Sequence, residues 1–254
     1  MIRLKSQSEI TLLRQGGKIL ADVLRKVANE TKEGKTTYEL DAMAERLILE
    51  AGGEPSFKDY GDPQNPFPAT LCTSVNCELV HGIPKEYIIK SGDIVTLDAG
   101  MRFPRKNGLY TDMATTIIVG KVAPEVEKMV KVTRKALQLW IKIIKPGAKL
   151  NELGGQVQEY IEGEGFSVVR DLVGHGVGHA VHEEPYIPNY YTHGTDVILK
   201  EGMVLALEPM ISMGGYGVKT LKDGWTVVMR DNCLCSHEEH TVVVTKHGCE
   251  VLTD

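Results

Sequence analysis

The stretch KEGKTTYEL at residues 32–40 decides the organisation of the chain, because it returns as KPGAKLNEL at residues 145–153. The Lys, Gly, Glu and Leu positions match at an offset of 113 residues (145 minus 32). Each copy lies between two segments whose apolar residues recur at helical intervals, and strand-like segments follow. The repeat therefore predicts one domain, 1–254, made of two similar helix–helix–strand halves, about 1–120 and 121–254, related by a pseudo-twofold axis.

Capping and breaking residues give the expected boundaries of the elements. Ser6 and Glu9 have capping-box spacing and predict the start of the first helix. Thr37 is expected to cap a second helix, and Pro124 to begin a third. The prolines of residues 54–70 predict a long ordered loop. The remaining expected elements are a fourth helix to about residue 163 and strands at 70–75, 93–99, 111–119, 167–173, 203–212, 225–231 and 239–245.

The composition is that of an ordinary globular protein: 254 residues, 42% hydrophobic and 25% charged, which excludes disorder and collagen-like structure. The net charge of −5 argues against a broad nucleic-acid footprint, so no nucleic-acid sequence recognition is expected. Five cysteines without a C-x-x-C motif indicate reduced thiols. Charged residues interrupt the N-terminal segment where a signal peptide needs an apolar core, and no segment has the ~20 apolar residues of a membrane span. We expect a cytoplasmic protein without membrane contact.

Acids and a histidine occur inside or beside apolar runs that should be buried strands. A buried carboxylate must be protonated, ion-paired or metal-bound, since leaving it unpaired costs several kcal/mol. A single acid in a strand is more often paired with Lys or Arg, but these segments nearly lack basic residues. Four carboxylates and one imidazole suit two divalent cations that share bridging oxygens. The five residues are Asp98, Asp112, His175, Glu208 and Glu239.

A shared metal makes a geometric demand on the hairpin that joins Asp98 to Asp112. Side chains alternate between the faces of a strand, so the loop length decides whether both aspartates lie on one face. A loop centred on Arg105 makes them face each other, whereas a two-residue turn at Asn107-Gly108 points them to opposite faces. A shared metal therefore predicts a loop with an odd number of residues, or a bulge that restores parity.

Six motifs in one order resemble the methionine aminopeptidases, and the spacing from His175 to Glu208 resembles their type I members, which lack a long insertion. We also expect no N-terminal zinc-binding extension. The resemblance implies the pita-bread fold, an α/β (α+β) architecture in which two pseudo-twofold-related halves surround a curved antiparallel sheet. The motifs are NCELVHGIP (76–84), GDIVTLDAG (92–100), YTDMATT (110–116), GHGVGHAVHEEP (174–185), GMVLALEP (202–209) and EEHTVVVT (238–245).

The resemblance also implies roles for individual residues. Asp112 and Glu239 would bridge two divalent ions (Co, Mn, Fe or Zn), Asp98 would complete the shell of one ion, and His175 with Glu208 that of the other. The reaction would be attack of a metal-bridging hydroxide on the first peptide carbonyl, with Glu208 as general base and proton shuttle. His81 would face the scissile amide nitrogen, and His182 would donate to the carbonyl oxygen that becomes negative.

The methionine slot and several other positions carry further expectations. The residues that match the family's slot are Tyr60, Phe67, Cys72, His81, Val181 and Trp225, although core packing is an almost equal interpretation of Phe67 and Trp225. His193, His237 and His247 are expected to be ordinary surface or loop residues, and His240 to point away from Glu239. His179 is expected at the rim of the site. Glu238, where the family is usually aromatic, either alters a pocket wall or faces solvent. The Asp98–Asp112 hairpin is three residues longer than is usual in the family.

Three functions compete. The leading hypothesis is removal of the initiator methionine from the N-termini of nascent polypeptides by a monomer, with the ribosome as a candidate partner. An X-prolyl aminopeptidase or prolidase-like activity is the second, since the DAG after the Asp98 strand and the extra His179 resemble those relatives. A non-catalytic pita-bread binding protein is the third, and the complete set of five ligand types argues against it. The sequence does not distinguish the metals.

Overall fold

The computed structural model describes residues 2–193 and 196–254, which form four helices and fifteen strands. The helices are α1 (Gln7–Glu30), α2 (Thr37–Glu50), α3 (Pro124–Ile143) and α4 (Leu150–Gly163). The strands of the first half are β1 (Glu54–Pro55), β2 (Leu71–Val75), β3 (Glu78–Val80), β4 (Ile94–Phe103) and β5 (Leu109–Ile118). Those of the second half are β6 (Ser167–Val168), β7 (Gly174–Gly176), β8 (Glu183–Ile187), β9 (Val204–Leu207), β10 (Met210–Ser212), β11 (Val218–Thr220), β12 (Val227–Met229), β13 (Cys235–His237), β14 (Glu239–Val244) and β15 (Cys249–Val251).

A nine-stranded antiparallel sheet forms the centre of the molecule, in the order β1-β4-β5-β14-β9-β7-β8, with β2 paired to β4 and β15 to β14. Leu97 and Ala99 of β4 pack into an apolar core with α1 and α2. Leu205 and Leu207 of β9 pack into a second core with α3 and α4. Because side chains alternate along a strand, the residues between these positions lie on the opposite face of the sheet. There Ala206 packs in a smaller apolar cluster with Ile10 and Leu13 at the start of α1.

The helix starts agree with the sequence except at one cap. Ser6 caps α1, and Glu9 completes the predicted capping box. The second helix is capped by Thr36 rather than Thr37. The Thr36 hydroxyl accepts from the Glu39 amide, and the Glu39 carboxylate accepts from the Thr36 amide. Thr37 instead donates its hydroxyl to the Lys85 carbonyl, 2.8 Å away. The prediction of Thr37 as the cap was therefore wrong by one residue.

The β4–β5 hairpin has the parity that a shared metal requires. The paired residues run from Ile94 with Ile118 to Phe103 with Leu109, so the loop 104–108 has an odd number of residues. The loop is centred on Lys106, not on Arg105, and it contains no two-residue turn. Asp98 therefore pairs with Ala114, and Asp112 pairs with Gly100. The two aspartates are diagonal neighbours on one face instead of direct partners.

The two repeated stretches make the same backbone contact. Thr36 of the first stretch forms an isolated antiparallel bridge with Ile88, and Lys149 at the matching position of the second forms one with Ile198. This agreement favours the duplicated halves, whose boundaries stay a prediction. Within the described residues, no helix has the length and hydropathy needed to cross a bilayer. All five cysteines lie in the described ranges and are free thiols, as expected.

Strand lengths depart from the sequence-based prediction in the second half. The segment expected at 167–173 is a strand only over Ser167–Val168, and the segment expected at 203–212 is interrupted by Glu208 and Pro209. Proline lacks the amide hydrogen that a central ladder needs, which explains the interruption. In the first half, β4 and β5 both extend further into the hairpin than expected. Asp98 and Asp112 therefore lie within strands rather than at their ends.

Candidate metal centre and active-site cavity

The strand register brings four of the five predicted ligand residues to one face of the sheet, and Glu208 follows directly after β9. Asp98 and Glu239 both pair with Ala114, and Asp112 lies two residues from Ala114 along β5. On β9, Ala206 pairs with His175 and with Thr241, which lies two residues beyond Glu239. Glu208 follows Ala206 by two residues. With a side-chain period of two, Asp98, Asp112, His175 and Glu239 share one face of the sheet. Glu208, just beyond β9, lines the same cavity.

These side chains line one cavity of about 410 Å³. One potential ligand atom from each of Asp112, His175 and Glu239 lies within 4.8 Å of the other two. Asp98 and Glu208 line the same cavity beside this group. The sequence-predicted constellation is therefore assembled in space, although its role in metal binding stays a prediction.

In its neutral form, His175 directs the lone pair of Nε2 at a carboxylate. Its Nδ1 lies 2.9 Å from the Gly176 carbonyl oxygen, which can only accept, so Nδ1 carries the hydrogen in the neutral ring. Its Nε2 then has a lone pair, and this atom lies 3.6 Å from Oε1 of Glu208. Two facing acceptors require a cation or a proton between them. This is the arrangement expected of a metal-ligating histidine with an oriented ring.

The ionised form of these buried carboxyl groups is unfavourable without a nearby positive charge. Burial, against a partly opposing contribution from His237, raises the pKa of Asp98 to about 7. Burial and then the negative charge of Asp98 raise the pKa of Asp112 well above its ordinary value, and burial with Asp112 does the same for Glu239. Within the described residues, Asp98 Oδ1 and Glu239 Oε1 are buried without a hydrogen-bond partner. Unpaired buried oxygens of this kind fit hard divalent cations.

His81 is held at the cavity by a tight turn after β3. Its backbone has φ of 55°, a conformation that non-glycine residues rarely adopt. The Gly82 carbonyl accepts from the Thr73 amide at 2.8 Å, and a Cβ at Gly82 would collide with the Thr73 carbonyl oxygen. The glycine thus lets the turn lie directly against β2. Burial lowers the pKa of His81, which keeps the imidazole neutral.

His182 stands at the mouth of the cavity. Its Nδ1 lies 2.7 Å from the Tyr60 hydroxyl, and its ring lies 4.5 Å from the His175 ring, centroid to centroid. Although one side of the residue is open to solvent, desolvation by the surrounding protein and then the His175 ring lower its pKa to about 4. A neutral imidazole that accepts the Tyr60 hydrogen at Nδ1 carries its own hydrogen on Nε2.

The loop before His182 is fixed by an ion pair to the N-terminal segment. Glu183 accepts from the backbone amides of His179 and Ala180 through Oε1, and its Oε2 lies 2.6 Å from the Lys5 ammonium. The Lys5 side chain is only 2% exposed. On the same loop, the His179 ring lies 2.7 Å from Glu9 of α1. These contacts hold residues 179–183 against the start of α1.

An apolar wall adjoins the acidic side of the cavity. Phe67 and Trp225 meet edge to face with ring centroids 5.3 Å apart, and Trp225 also lies 6.2 Å from the His81 ring. Cys72 pairs with Asp98 across the β2–β4 ladder, and burial raises the pKa of its thiol well above the ordinary value. Tyr60, Phe67, Cys72, His81, His182 and Trp225 all line the cavity, whereas Val181 lies buried behind it against Phe67 and Cys72.

The expectation for His237 was wrong. The residue is 1% exposed, and its Nε2 lies 3.4 Å from Oε2 of Glu208. Burial lowers the pKa of His237, but Glu208, Asp98 and Glu238 together raise it above its ordinary value. His237 lies two residues before Glu239, so strand alternation was the signal that could have identified it. His193 and His247 are exposed, as expected.

Both expectations for Glu238 were also wrong. Its carboxylate is buried on the far side of the strand from Glu239, where Oε1 accepts from Arg134 at 2.9 Å and from the Thr116 amide at 3.1 Å. Glu238 therefore ties the segment before β14 to α3 and β5. His240 points away from Glu239 as predicted, with Nδ1 2.9 Å from the Thr253 hydroxyl. His179 contacts α1 and does not line the cavity.

Several other cavity residues carried no signal in the sequence. Only the folded structure shows that their side chains face the cavity. They are Phe57, Val80, Asp171, Leu172, Val173, Tyr186 and Met210.

Comparisons with known proteins agree with this geometry. The family described as metallopeptidase family M24 matches residues 11–246. The curated methionine aminopeptidase of Clostridium perfringens is 45% identical over 254 residues, covering 100% of this chain and 99% of the relative. The chain belongs to metallopeptidase family M24. A methionine aminopeptidase from Bacillus subtilis is 43% identical over 253 residues, covering 100% of this chain and 99% of the relative.

Solved structures of family members confirm the fold. The methionine aminopeptidase of Thermotoga maritima superposes with a TM-score of 0.94 at 43% identity and full coverage of both chains. The prolidase of Pyrococcus furiosus superposes with a TM-score of 0.78 at 25% identity, covering 99% of this chain and 65% of the prolidase. The pita-bread architecture predicted from the sequence is thus confirmed. Membership of a metallopeptidase family also implies a requirement for divalent metal.

Proposed function

We propose that this protein is a methionine aminopeptidase that removes the initiator methionine from nascent polypeptides with two divalent metal ions. The observation that carries the proposal is the convergence of Asp112, His175 and Glu239 within 4.8 Å in a member of family M24. Full-length similarity to curated methionine aminopeptidases supports the substrate.

Asp98, Asp112, His175, Glu208 and Glu239 would hold the ions. When bound, two divalent ions lower the pKa of a water molecule to near neutrality and polarise the carbonyl that is attacked. The unpaired oxygens of Asp98 and Glu239 and the lone pair of His175 Nε2 support this ligand set. Co, Mn, Fe or Zn would all accept such ligands.

The remaining steps belong to side chains of the cavity. Glu208 takes the proton of the attacking water and passes it to the departing amine. His182, with its Nε2 hydrogen fixed by the Tyr60 contact, donates to the carbonyl oxygen as that oxygen becomes negative. His81, neutral and on the other wall, faces the scissile nitrogen. Each histidine has a lowered pKa, so both are available as neutral donors or acceptors near pH 7.

The apolar wall would accept the methionine side chain. Phe67, Cys72 and Trp225 form a surface with aromatic edges beside the acidic cluster. A linear thioether fits a narrow apolar slot, where each methylene contributes about 1–3 kcal/mol of discrimination. Crowding by His81 and His182 near the acids would favour a small second residue.

The test is an activity panel with chelated protein that is reloaded with one metal at a time. Met-Ala-Ser, norleucine-Ala-Ser and Ala-Pro-Ala are offered with Mn²⁺, Co²⁺, Fe²⁺ or Zn²⁺, and released amino acids are quantified. We expect methionine release with at least one metal and none after chelation. Folded, metal-loaded protein that releases no methionine would refute the proposal.

The geometry does not favour the X-prolyl alternative. The additional histidine that suggested it, His179, contacts Glu9 outside the cavity lining. Cleavage of Ala-Pro-Ala in preference to Met-Ala-Ser would establish it nevertheless. Binding of metal without hydrolysis of either peptide would favour a binding protein. A cytoplasmic location, a monomeric state and action at the ribosome remain parts of the proposal that fractionation, gel filtration and ribosome pelleting would test.

A further inference from the structure

His237 is fixed on a rigid backbone directly behind the cavity. It ends β13 and pairs with Met210 of β10, the strand that follows Glu208 and Pro209. Its amide donates to the Thr116 hydroxyl at 3.1 Å, and its carbonyl accepts from the same hydroxyl at 2.8 Å. Arg134 in turn donates to the Thr116 carbonyl. The imidazole therefore leaves the backbone at a well-determined position.

The imidazole is directed at one carboxylate. Nε2 of His237 lies 3.4 Å from Oε2 of Glu208, and both ring nitrogens are buried without a hydrogen-bond partner in the described part of the chain. The other oxygen of Glu208 lies 3.6 Å from Nε2 of His175. Glu208 is thus held between two imidazoles, one at each oxygen.

The two imidazoles cannot play the same part. The Nδ1 hydrogen of His175 is committed to the Gly176 carbonyl, so its Nε2 has a lone pair and repels the carboxylate. His237 has no such commitment, and its Nε2 is free to carry a hydrogen toward Oε2. Of the two rings, His237 alone can donate to Glu208.

We propose that His237 is a positioning residue that donates from Nε2 to Oε2 of Glu208 and so turns Oε1 toward His175 and the metal centre. The kinetic part of this inference rests on the proposed function. Partners of this kind, which orient a metal-ligating side chain, typically change metal affinity or activity by about 10–100-fold when they are removed. Glu208 precedes a proline at the end of β9, where the sheet ladder no longer constrains it, so this donor substitutes for that constraint.

The test compares H237L, which removes both nitrogens, with H237Q, which keeps a donor, and H237N, whose amide is too short to reach Glu208. The matched control is H240L, which removes a largely buried imidazole that points away from the cavity to Thr253. Each protein is titrated with Mn²⁺ by calorimetry, its Co²⁺ absorption spectrum is recorded, and kcat and KM are measured on Met-Ala-Ser at saturating Mn²⁺.

We expect H237L to weaken one Mn²⁺ site at least tenfold, to change the Co²⁺ spectrum, and to lower kcat at least tenfold with KM within twofold. H237Q should recover to within threefold of the natural protein, and H240L should bind Mn²⁺ normally. If H237L does not fold, H237N should show the same losses against H237Q. Equal behaviour of H237Q and H237N, or normal metal binding by a folded H237L, would overturn the inference.

The outcomes separate this inference from the proposed function. Natural protein that binds Mn²⁺ but releases no methionine would refute the function, while the Mn²⁺ titrations and Co²⁺ spectra of the variants would still decide the role of His237. Methionine release by the natural protein together with unimpaired H237L would refute only the role of His237.

Discussion

Replacing Tyr60 by Phe removes the hydroxyl that lies 2.7 Å from Nδ1 of His182 and leaves the aromatic ring in place. The hydrogen bond selects the His182 tautomer with its hydrogen on Nε2, the form that can donate to the substrate carbonyl. One such bond contributes about 0.5–1.5 kcal/mol. At about 1.36 kcal/mol per factor of ten, kcat/KM should fall about 2- to 13-fold. His182→Ala, which removes the donor itself, should cost about 10²–10³-fold in kcat.

The assay is release of methionine from Met-Ala-Ser at saturating metal, with kcat and KM determined separately. The matched control is Tyr38→Phe, since Tyr38 is an exposed tyrosine on α2. We expect the Tyr60→Phe loss in kcat, because the bond acts on the step that develops negative charge. An unchanged kcat in Tyr60→Phe beside a large loss in His182→Ala would show that Tyr60 does not fix the tautomer, and the reasoning would fail.

Four further outcomes are expected. Lys5→Met leaves the Glu183 side chain, which is only 12% exposed, without its ammonium partner and should lower the unfolding free energy by about 3–5 kcal/mol in urea denaturation; a loss below 1 kcal/mol would contradict a tight pair. Glu208→Ala should keep the metal-free protein folded by circular dichroism and lower kcat about 10²–10⁴-fold; retained turnover would exclude Glu208 as the base. Metal at 100 times its Kd should stabilise the fold by about 2.7 kcal/mol, reversibly by chelation, in a thermal-shift assay; no shift would argue against a site in the native state. The contact with His179, followed by the Ser6 amide, lowers the pKa of Glu9 to about 2, so the stabilising contribution of Glu9 is present above pH 4.5 and is lost as pH falls toward 2. Glu9→Gln can still form the capping box and should reduce the loss of unfolding free energy over this range. An acid-unfolding transition identical to that of the natural protein would contradict this prediction.

The sequence was sufficient to single out the four acids because the prediction rested on the free-energy cost of burying a carboxylate without a partner. The apolar runs that contain these acids have few basic residues, so burial would leave the carboxylates without a counter-charge whichever strands pair. The four acids are Asp98, Asp112, Glu208 and Glu239. The parity argument then required an odd hairpin loop, and the register bears this out through residues 104–108. What the sequence could not give was the centre of the loop, because several odd loops satisfy the same condition.

The failures have a different origin. His237 and Glu238 were judged from the segment before β14, whose pairing with β10 and packing on α3 arise from distant parts of the chain. Arg134 neutralises Glu238 from a helix about a hundred residues away, a partner that spacing along the strand cannot reveal. Tertiary contacts of this kind decide which side chain of an alternating pair reaches the cavity.

Diffraction from crystals grown with Mn²⁺, measured with the anomalous signal of manganese, gives the most direct test of the metal centre. We expect two anomalous peaks about 3.5–4 Å apart, in contact with Asp98, Asp112, His175, Glu208 and Glu239. Crystals that hold Mn²⁺ elsewhere, or that show these five side chains paired to each other through protons with no peak between them, would contradict the account.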